Sequence, residues 1–130
     1  MRLRYLLPLL AASVVSQGQT APQHPPITGI SHVAFYSSNL GSAAKFYAGL
    51  LGLAVQPPAS NDYQVGMQRV ELESLPAGHG HDLIAHVAFA TTDAEGMRKY
   101  LAAHGVSVPD KANVEKSGTV WFALKDPEGN

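Results

Sequence analysis

Two hexapeptides decide the reading of this chain: Ile30-Ser31-His32-Val33-Ala34-Phe35 and Ile84-Ala85-His86-Val87-Ala88-Phe89. They lie 54 residues apart, and the same offset aligns the residues downstream of each. Ser37-Ser38-Asn39 faces Thr91-Thr92-Asp93, Lys45 faces Lys99 and Phe46 faces Tyr100, before glycine-containing stops at Gly52 and Gly105. A fixed offset sustained over this length marks one supersecondary unit used twice.

Each copy opens with period-two alternation, which predicts strands over 28–37 and 83–91. Ile30, His32 and Ala34 fall on one face and Val33 and Phe35 on the other, and the second copy repeats this with Ile84, His86 and Ala88 against Val87 and Phe89. A helix comes next in each. Thr92 with Glu95 three residues on reads as a capping box, and Ser38 or Asn39 caps the first copy. Leu40, Ala44, Tyr47 and Leu51, and then Met97, Tyr100 and Leu101, form apolar helical stripes that pack on the Val/Phe face. The histidine face is thereby left to line something else.

After the first helix, Leu53 to Gln56 reads as a short strand and Pro57 to Asn61 as a loop, and an alternating stretch within Tyr63 to Leu75 ends in Arg69-Val70-Glu71-Leu72-Glu73. Period two turns Val70 and Leu72 toward the helix and puts Glu71 and Glu73 on the opposite face, beside the histidines. The second copy continues with a strand at Val106 to Val108 and another at Thr119 to Lys125, then the turn Asp126-Pro127-Glu128-Gly129-Asn130. His79 and His81 belong to a glycine-rich surface link, and His24 and His104 are expected to be exposed. Tyr36, Tyr63 and Trp121 suit the lining of a cup and ordinary packing equally well.

The 130 residues suffice for one compact domain. No cysteine is present, which excludes disulfide scaffolds, thiol catalysis and cysteine zinc sites. Nine Lys+Arg against ten Asp+Glu give a net charge of −1, so no basic surplus exists to bind a nucleic-acid backbone. At the start, Arg2 and Arg4 precede an apolar run from Tyr5 to Val15 and then polar Ser16-Gln17-Gly18-Gln19, the order of a secretory signal peptide. The run is well short of the roughly 20 apolar residues of a membrane-spanning helix and contains Pro8. Residues 1–18 are therefore expected to be a cleaved signal peptide, with no stable membrane span after processing and a secreted or periplasmic product. Residues 19–26, with Pro22-Gln23-His24-Pro25-Pro26, form an extended tether.

A βαβββ unit used twice, with His32 and His86 in the two first strands, Phe46-Tyr47-x-x-Leu50-Leu51-Gly52-Leu53 closing the first helix and Asp126-Pro127-Glu128-Gly129-Asn130 near the end, resembles the vicinal oxygen chelate superfamily. That group includes glyoxalase I, fosfomycin and bleomycin resistance proteins, methylmalonyl-CoA epimerase and extradiol dioxygenases. The resemblance implies an α+β domain over 27–130, with module 1 at 27–77 and module 2 at 82–130. The two modules form a cup-shaped mixed sheet with helices on its outer face. It also implies an open metal site, whose ligands fall residue by residue on His32, Glu71 and His86. Glu73 shares the parity of Glu71, but Glu71 stands between two apolar residues as the family pattern requires, which leaves Glu73 at the rim. The family's fourth ligand, a Glu, would come about three residues beyond Asn130, so the sequence reads as stopping before its last strand.

Two imidazoles and a carboxylate suit Zn, Fe(II), Mn, Ni or Co. The resemblance implies chelation of neighbouring oxygens on a small-molecule substrate. The isomerase and epimerase branch uses a metal-side Glu as the base that moves a proton, which assigns the catalytic role to Glu71. Oxygenase and lyase chemistries belong to the same family. Glutathione, bacillithiol and CoA are cytosolic, so thiol-dependent members are poor guides to an exported protein. The alternatives are a metal-free sequestering protein of the bleomycin-resistance type, against which the His and Glu set counts, and an inactive fragment. A homodimer fits the family's habit of pairing modules.

Overall fold

In the computed structural model, residues 21–130 are described. The proposed signal peptide and the first two residues of the tether lie outside the described residues. The elements in chain order are β1 (Ile27–Ser37), α1 (Leu40–Ala44) running into a π-helical segment (Lys45–Leu50), β2 (Ala54–Val55), β3 (Asp62–Val65), β4 (Gln68–Ser74), β5 (Ile84–Thr91), α2 (Ala94–Ala103), β6 (Asn113–Val114) and β7 (Val120–Trp121). The result is an α+β fold. A mixed five-stranded sheet runs β2-β3-β4-β1-β5, and β6 pairs with β7 in a small second sheet. Among the described residues, no helix is long and apolar enough to cross a membrane.

The repeated hexapeptides meet at the middle of the large sheet, where β1 and β5 run antiparallel with Val33 opposite Val87 and Ala34 opposite His86. On its other side β1 runs parallel to β4, with His32 opposite Arg69 and Ala34 opposite Glu71. Paired residues share a face, so the expected separation holds: Val33, Phe35, Val70 and Leu72 lie on one side, and His32, Glu71, Glu73 and His86 lie on the other. The large buried side chains of the sheet lie on the apolar side. Tyr63 pairs with Val70, is fully buried and stacks on Tyr47 of the first helix with ring centroids 5.4 Å apart. Leu72 is buried beneath the same face, and Met97 of α2 is buried in the second copy.

Both helices begin on an Asx cap. Asn39 accepts a hydrogen bond from the Ser42 amide at 2.9 Å, and Asp93, its equivalent at the repeat offset, accepts from Gly96 at 2.8 Å. The expected capping box at Thr92 is thus corrected by one residue. Glu95 is turned elsewhere: it takes hydrogen bonds from Arg98 at 2.6 and 2.8 Å and from the Ala112 amide at 3.4 Å, tying the start of α2 to the loop before β6. The two helical stops hold as expected, with Gly52 at φ +68° and Gly105 at φ +79°, angles at which a side chain would be strained.

Four expectations change. Register shifts in the β1–β5 ladder put Ile30 opposite Phe89 and Ile84 opposite Phe35, so neither isoleucine stays with the histidines. The stretch assigned to one alternating run divides into β3 and β4 around a turn containing Gly66. Val106 to Val108 forms no strand, and the second copy instead pairs Asn113–Val114 with Val120–Trp121. Phe89, expected in the core, is 64% exposed.

Candidate metal centre

Strand pairing sets out the site in rows. Across one row lie His86 on β5, Ala34 on β1, Glu71 on β4 and Asp62 on β3. Across the next lie Ala88, His32, Arg69 and Gln64. Ala34 is fully buried and forms the floor between His86 and Glu71, where its methyl group leaves room for the longer side chains to converge above it. Two of the three register shifts in the β1–β5 ladder bracket this patch, one between Ile30 and His32 and the other between Ala34 and Phe35. Such irregularities raise the local twist and re-aim side chains. Here they bring together two histidines that stand on neighbouring strands but in different rows.

The convergence is close. His32 Nε2 lies 2.9 Å from His86 Nε2 and 3.6 Å from Glu71 Oε2, and one donor atom from each of the three residues falls within 4.8 Å of the others. Metal–ligand bonds of about 2.1 Å in a tetrahedral site place donor atoms about 3.4 Å apart. The observed separations straddle that value, so small side-chain rotations would let the two nitrogens and the oxygen share one ion. The set of imidazole, imidazole and carboxylate suits a divalent metal of borderline softness. All three residues named from the sequence as ligands are brought together.

Their surroundings differ. His32 is the better shielded, and burial pushes its imidazole below the ordinary value of 6.5, helped by the Arg69 charge and opposed by Glu71. This keeps the ring neutral, the form that binds metal. His86 is more open, and its Nδ1 lies 3.3 Å from Glu73 Oε1. A carboxylate behind a ligating histidine fixes its tautomer and orientation and raises its basicity. Glu73 is therefore more than a rim residue, and its parity with Glu71 was the signal for it.

Arg69 also reaches the site, with one guanidinium nitrogen 3.3 Å from His32 Nδ1 and another paired with Asp62 Oδ2. Parity within Arg69-Val70-Glu71 could have placed Arg69 on this face, but Asp62 falls between the expected loop of Pro57 to Asn61 and the stretch from Tyr63, and nothing local to it points to the site. Tyr36 shares a row with Glu73 and meets the ring of His79 at a centroid distance of 4.5 Å. The link between the repeats thus comes up against the site face at that end. Tyr63 lies on the helix side, and Trp121 pairs with Asn113 in the small second sheet.

The family model described as Glyoxalase/Bleomycin resistance protein/Dioxygenase superfamily matches residues 29–130. No curated protein sequence matches the chain. Among solved structures, methylmalonyl-CoA epimerase from Mycobacterium tuberculosis is similar with a TM-score of 0.58 and 19% identity, over 72% of this chain and 76% of that one. A hypothetical protein from Bacillus halodurans C-125 gives a TM-score of 0.56 and 19% identity, over 77% of this chain and 85% of that one. These likenesses speak for the fold. With the family model covering most of its length, the chain belongs to the glyoxalase/bleomycin resistance/dioxygenase superfamily.

Proposed function

We propose that the protein is a metal-dependent enzyme of the isomerase, lyase or oxygenase class, acting on a small molecule with neighbouring oxygens, in which His32, Glu71 and His86 hold a divalent metal ion. The observation that carries this reading is the approach of three donor atoms to within 4.8 Å on one face of the sheet, from strands β1, β4 and β5. The cluster lies on the face of the five-stranded sheet opposite Tyr63 and its stacked partner Tyr47 of the first helix. A bound divalent ion would supply Lewis-acid stabilisation of negative charge developing on the substrate's oxygens.

The chain's own groups supply the rest. Glu71 is half-exposed beside His32, open enough for its carboxylate to exchange a proton with a substrate lying over the face. That placement favours the isomerase or epimerase branch, with Glu71 both a ligand and the base that moves a proton. His86, backed by Glu73, and His32, sheltered over Ala34, orient the donor set. The reading includes an exported protein whose mature form starts near Gln19. Amino-terminal sequencing of protein from the native host checks this, and an intact Met1 would overturn it.

The metal reading is tested by elemental analysis of the purified full chain before and after dialysis against a chelator. Close to one equivalent of divalent metal is expected in the wild type, with most of it lost in His32→Ala and in His86→Ala while circular dichroism keeps its native form. Unchanged metal content in both variants would sink the assignment.

A further inference from the structure

The hydrogen positions around the two histidines are set by which partners can only donate and which can only accept. A guanidinium has no acceptor, so the contact between Arg69 and His32 Nδ1, at 3.3 Å, requires a lone pair on Nδ1. A neutral ring with its lone pair there carries its hydrogen on Nε2. That hydrogen lies toward His86 Nε2, 2.9 Å away, which must then accept, so the hydrogen of His86 sits on Nδ1, the atom 3.3 Å from Glu73 Oε1. The two Nε2 atoms lie 2.9 Å apart, and this assignment gives that contact one donor and one acceptor. The chain therefore runs in one direction, Arg69 to His32 to His86, with the Glu73 carboxylate beside its far end. The reverse direction is blocked at Arg69, which has nothing to accept with.

The two rings are thus prepared differently. His86 already presents the Nε2 lone pair that a metal needs, with an acceptor behind it. His32 has a cationic donor behind it and a hydrogen where the metal would bind. Arg69 is held in this position from its other side by Asp62, whose side chain is only 7% exposed. Asp62 Oδ1 is buried and has no hydrogen-bond partner among the described residues, although Oδ2 of the same carboxylate holds Arg69. A buried acceptor left unmatched is costly. A small turn of the guanidinium would let it fork across both oxygens, the stronger arrangement for an Arg–carboxylate pair, and would release His32 Nδ1.

We infer that Arg69, anchored by Asp62, is a positioning residue that fixes the hydrogen of His32 on Nε2, holds the two histidines together and thereby weakens metal binding until the guanidinium turns onto Asp62 Oδ1. The part concerning affinity rests on the metal reading above. The tautomer assignment rests on geometry alone.

The experiment is long-range proton–nitrogen NMR of the histidine rings in the metal-free full chain, at a pH above the imidazole range, combined with titration by Zn(II) alone. The variants are Arg69→Lys, which keeps a donor, and the double variant Asp62→Asn/Arg69→Met, which removes the donor without stranding a buried charge. In the wild type and Arg69→Lys, His32 is expected as the Nε2–H tautomer and His86 as the Nδ1–H tautomer. In the double variant His32 loses its fixed tautomer and Zn(II) binds about 10-fold more tightly, the scale typical of partners behind a metal ligand. A merely structural role for the pair would lower the melting temperature and move neither readout. An Nδ1–H tautomer for His32 in a wild type that binds Zn(II) would overturn this inference and spare the metal reading. An unchanged tautomer or unchanged Zn(II) affinity in the double variant would overturn it as well. The expected tautomers with no Zn(II) binding in any variant would overturn the metal reading and the affinity claim, leaving the tautomer assignment standing.

Discussion

Removing Glu73 should loosen metal binding without removing a ligand. Its Oε1 lies 3.3 Å from His86 Nδ1, and the two side chains are 39% and 47% exposed. In fully water-like surroundings a pair of unit charges at that distance interacts by only about 1.3 kcal/mol. The contact works chiefly by holding the His86 tautomer and ring plane, for which losses of 10-fold to 100-fold in metal affinity are typical. The exposure of both groups places Glu73→Ala at the low end, about 10-fold weaker, or about 1.4 kcal/mol. Glu73→Gln retains an amide carbonyl that can accept from Nδ1, so it should fall between Glu73→Ala and the wild type. Glu71→Ala, which deletes a donor atom, should cost more than either. The assay is competition for Zn(II) against a chromophoric chelator, with melting curves to confirm that each variant folds. Affinity of Glu73→Ala within twofold of the wild type would refute the supporting role. A larger loss in Glu73→Ala than in Glu71→Ala would show that the ligand is Glu73 and that the preference for a carboxylate between two apolar neighbours was misplaced.

Burial divides two apolar positions that the sequence treats alike. Leu72→Ala, at a buried residue on the helix face, should lower stability by about 2 to 5 kcal/mol, whereas Phe89→Ala, at an exposed one, should cost much less, as read from urea denaturation midpoints; equal losses would contradict the packing described. Acid sensitivity should trace to Glu95, whose carboxyl is lowered from 4.5 to about 2, chiefly by its hydrogen bonds from Arg98. A depressed carboxyl stabilises the fold above its unfolded value, and that contribution disappears as pH falls from about 4.5 toward about 2. Glu95→Gln should flatten the stability profile in that window and leave it unchanged near neutrality apart from a constant offset, and a profile identical to the wild type would contradict the assignment.

Much of this site was legible because β-strand parity and an internal repeat constrain each other. Either hexapeptide alone would allow a histidine satisfied by an ordinary hydrogen bond. Two copies with the same parity put two imidazoles on one face once the Val/Phe sides of both strands are matched, and the pairing found, Ala34 opposite His86, leaves the rings one row apart. Val70-Glu71-Leu72 added the carboxylate by the same rule. Less was legible where the outcome depends on partners remote in sequence. Register shifts belong to a ladder between two strands, so alternation within either strand could not reveal that Ile30 and Ile84 leave the histidine face. Thr92 and Asp93 are adjacent residues that both make good caps, and composition could not choose between them. Glu95 looked like half of a capping box because its use by Arg98 and the Ala112 amide depends on a loop seventeen residues away.

The deepest departure from the sequence repeat lies in the site itself. The two hexapeptides match at five of six positions, yet topology gives their histidines unlike neighbours. β1 lies inside the sheet, between β4 and β5, so His32 has Arg69 and Glu71 on one side and His86 on the other. β5 lies at the edge, so His86 is open on one flank and finds its second partner in Glu73, from the far end of β4. A repeat can deliver two equivalent ligands, but a sheet with one inner and one outer copy makes them inequivalent. One ring is backed by an acceptor and ready to bind. The other is backed by a donor, Arg69, which in the inference above gives way when metal binds. On the proposed reading the two imidazoles come from duplication, while their response to metal is set by residues found in only one copy, Asp62, Arg69 and Glu73.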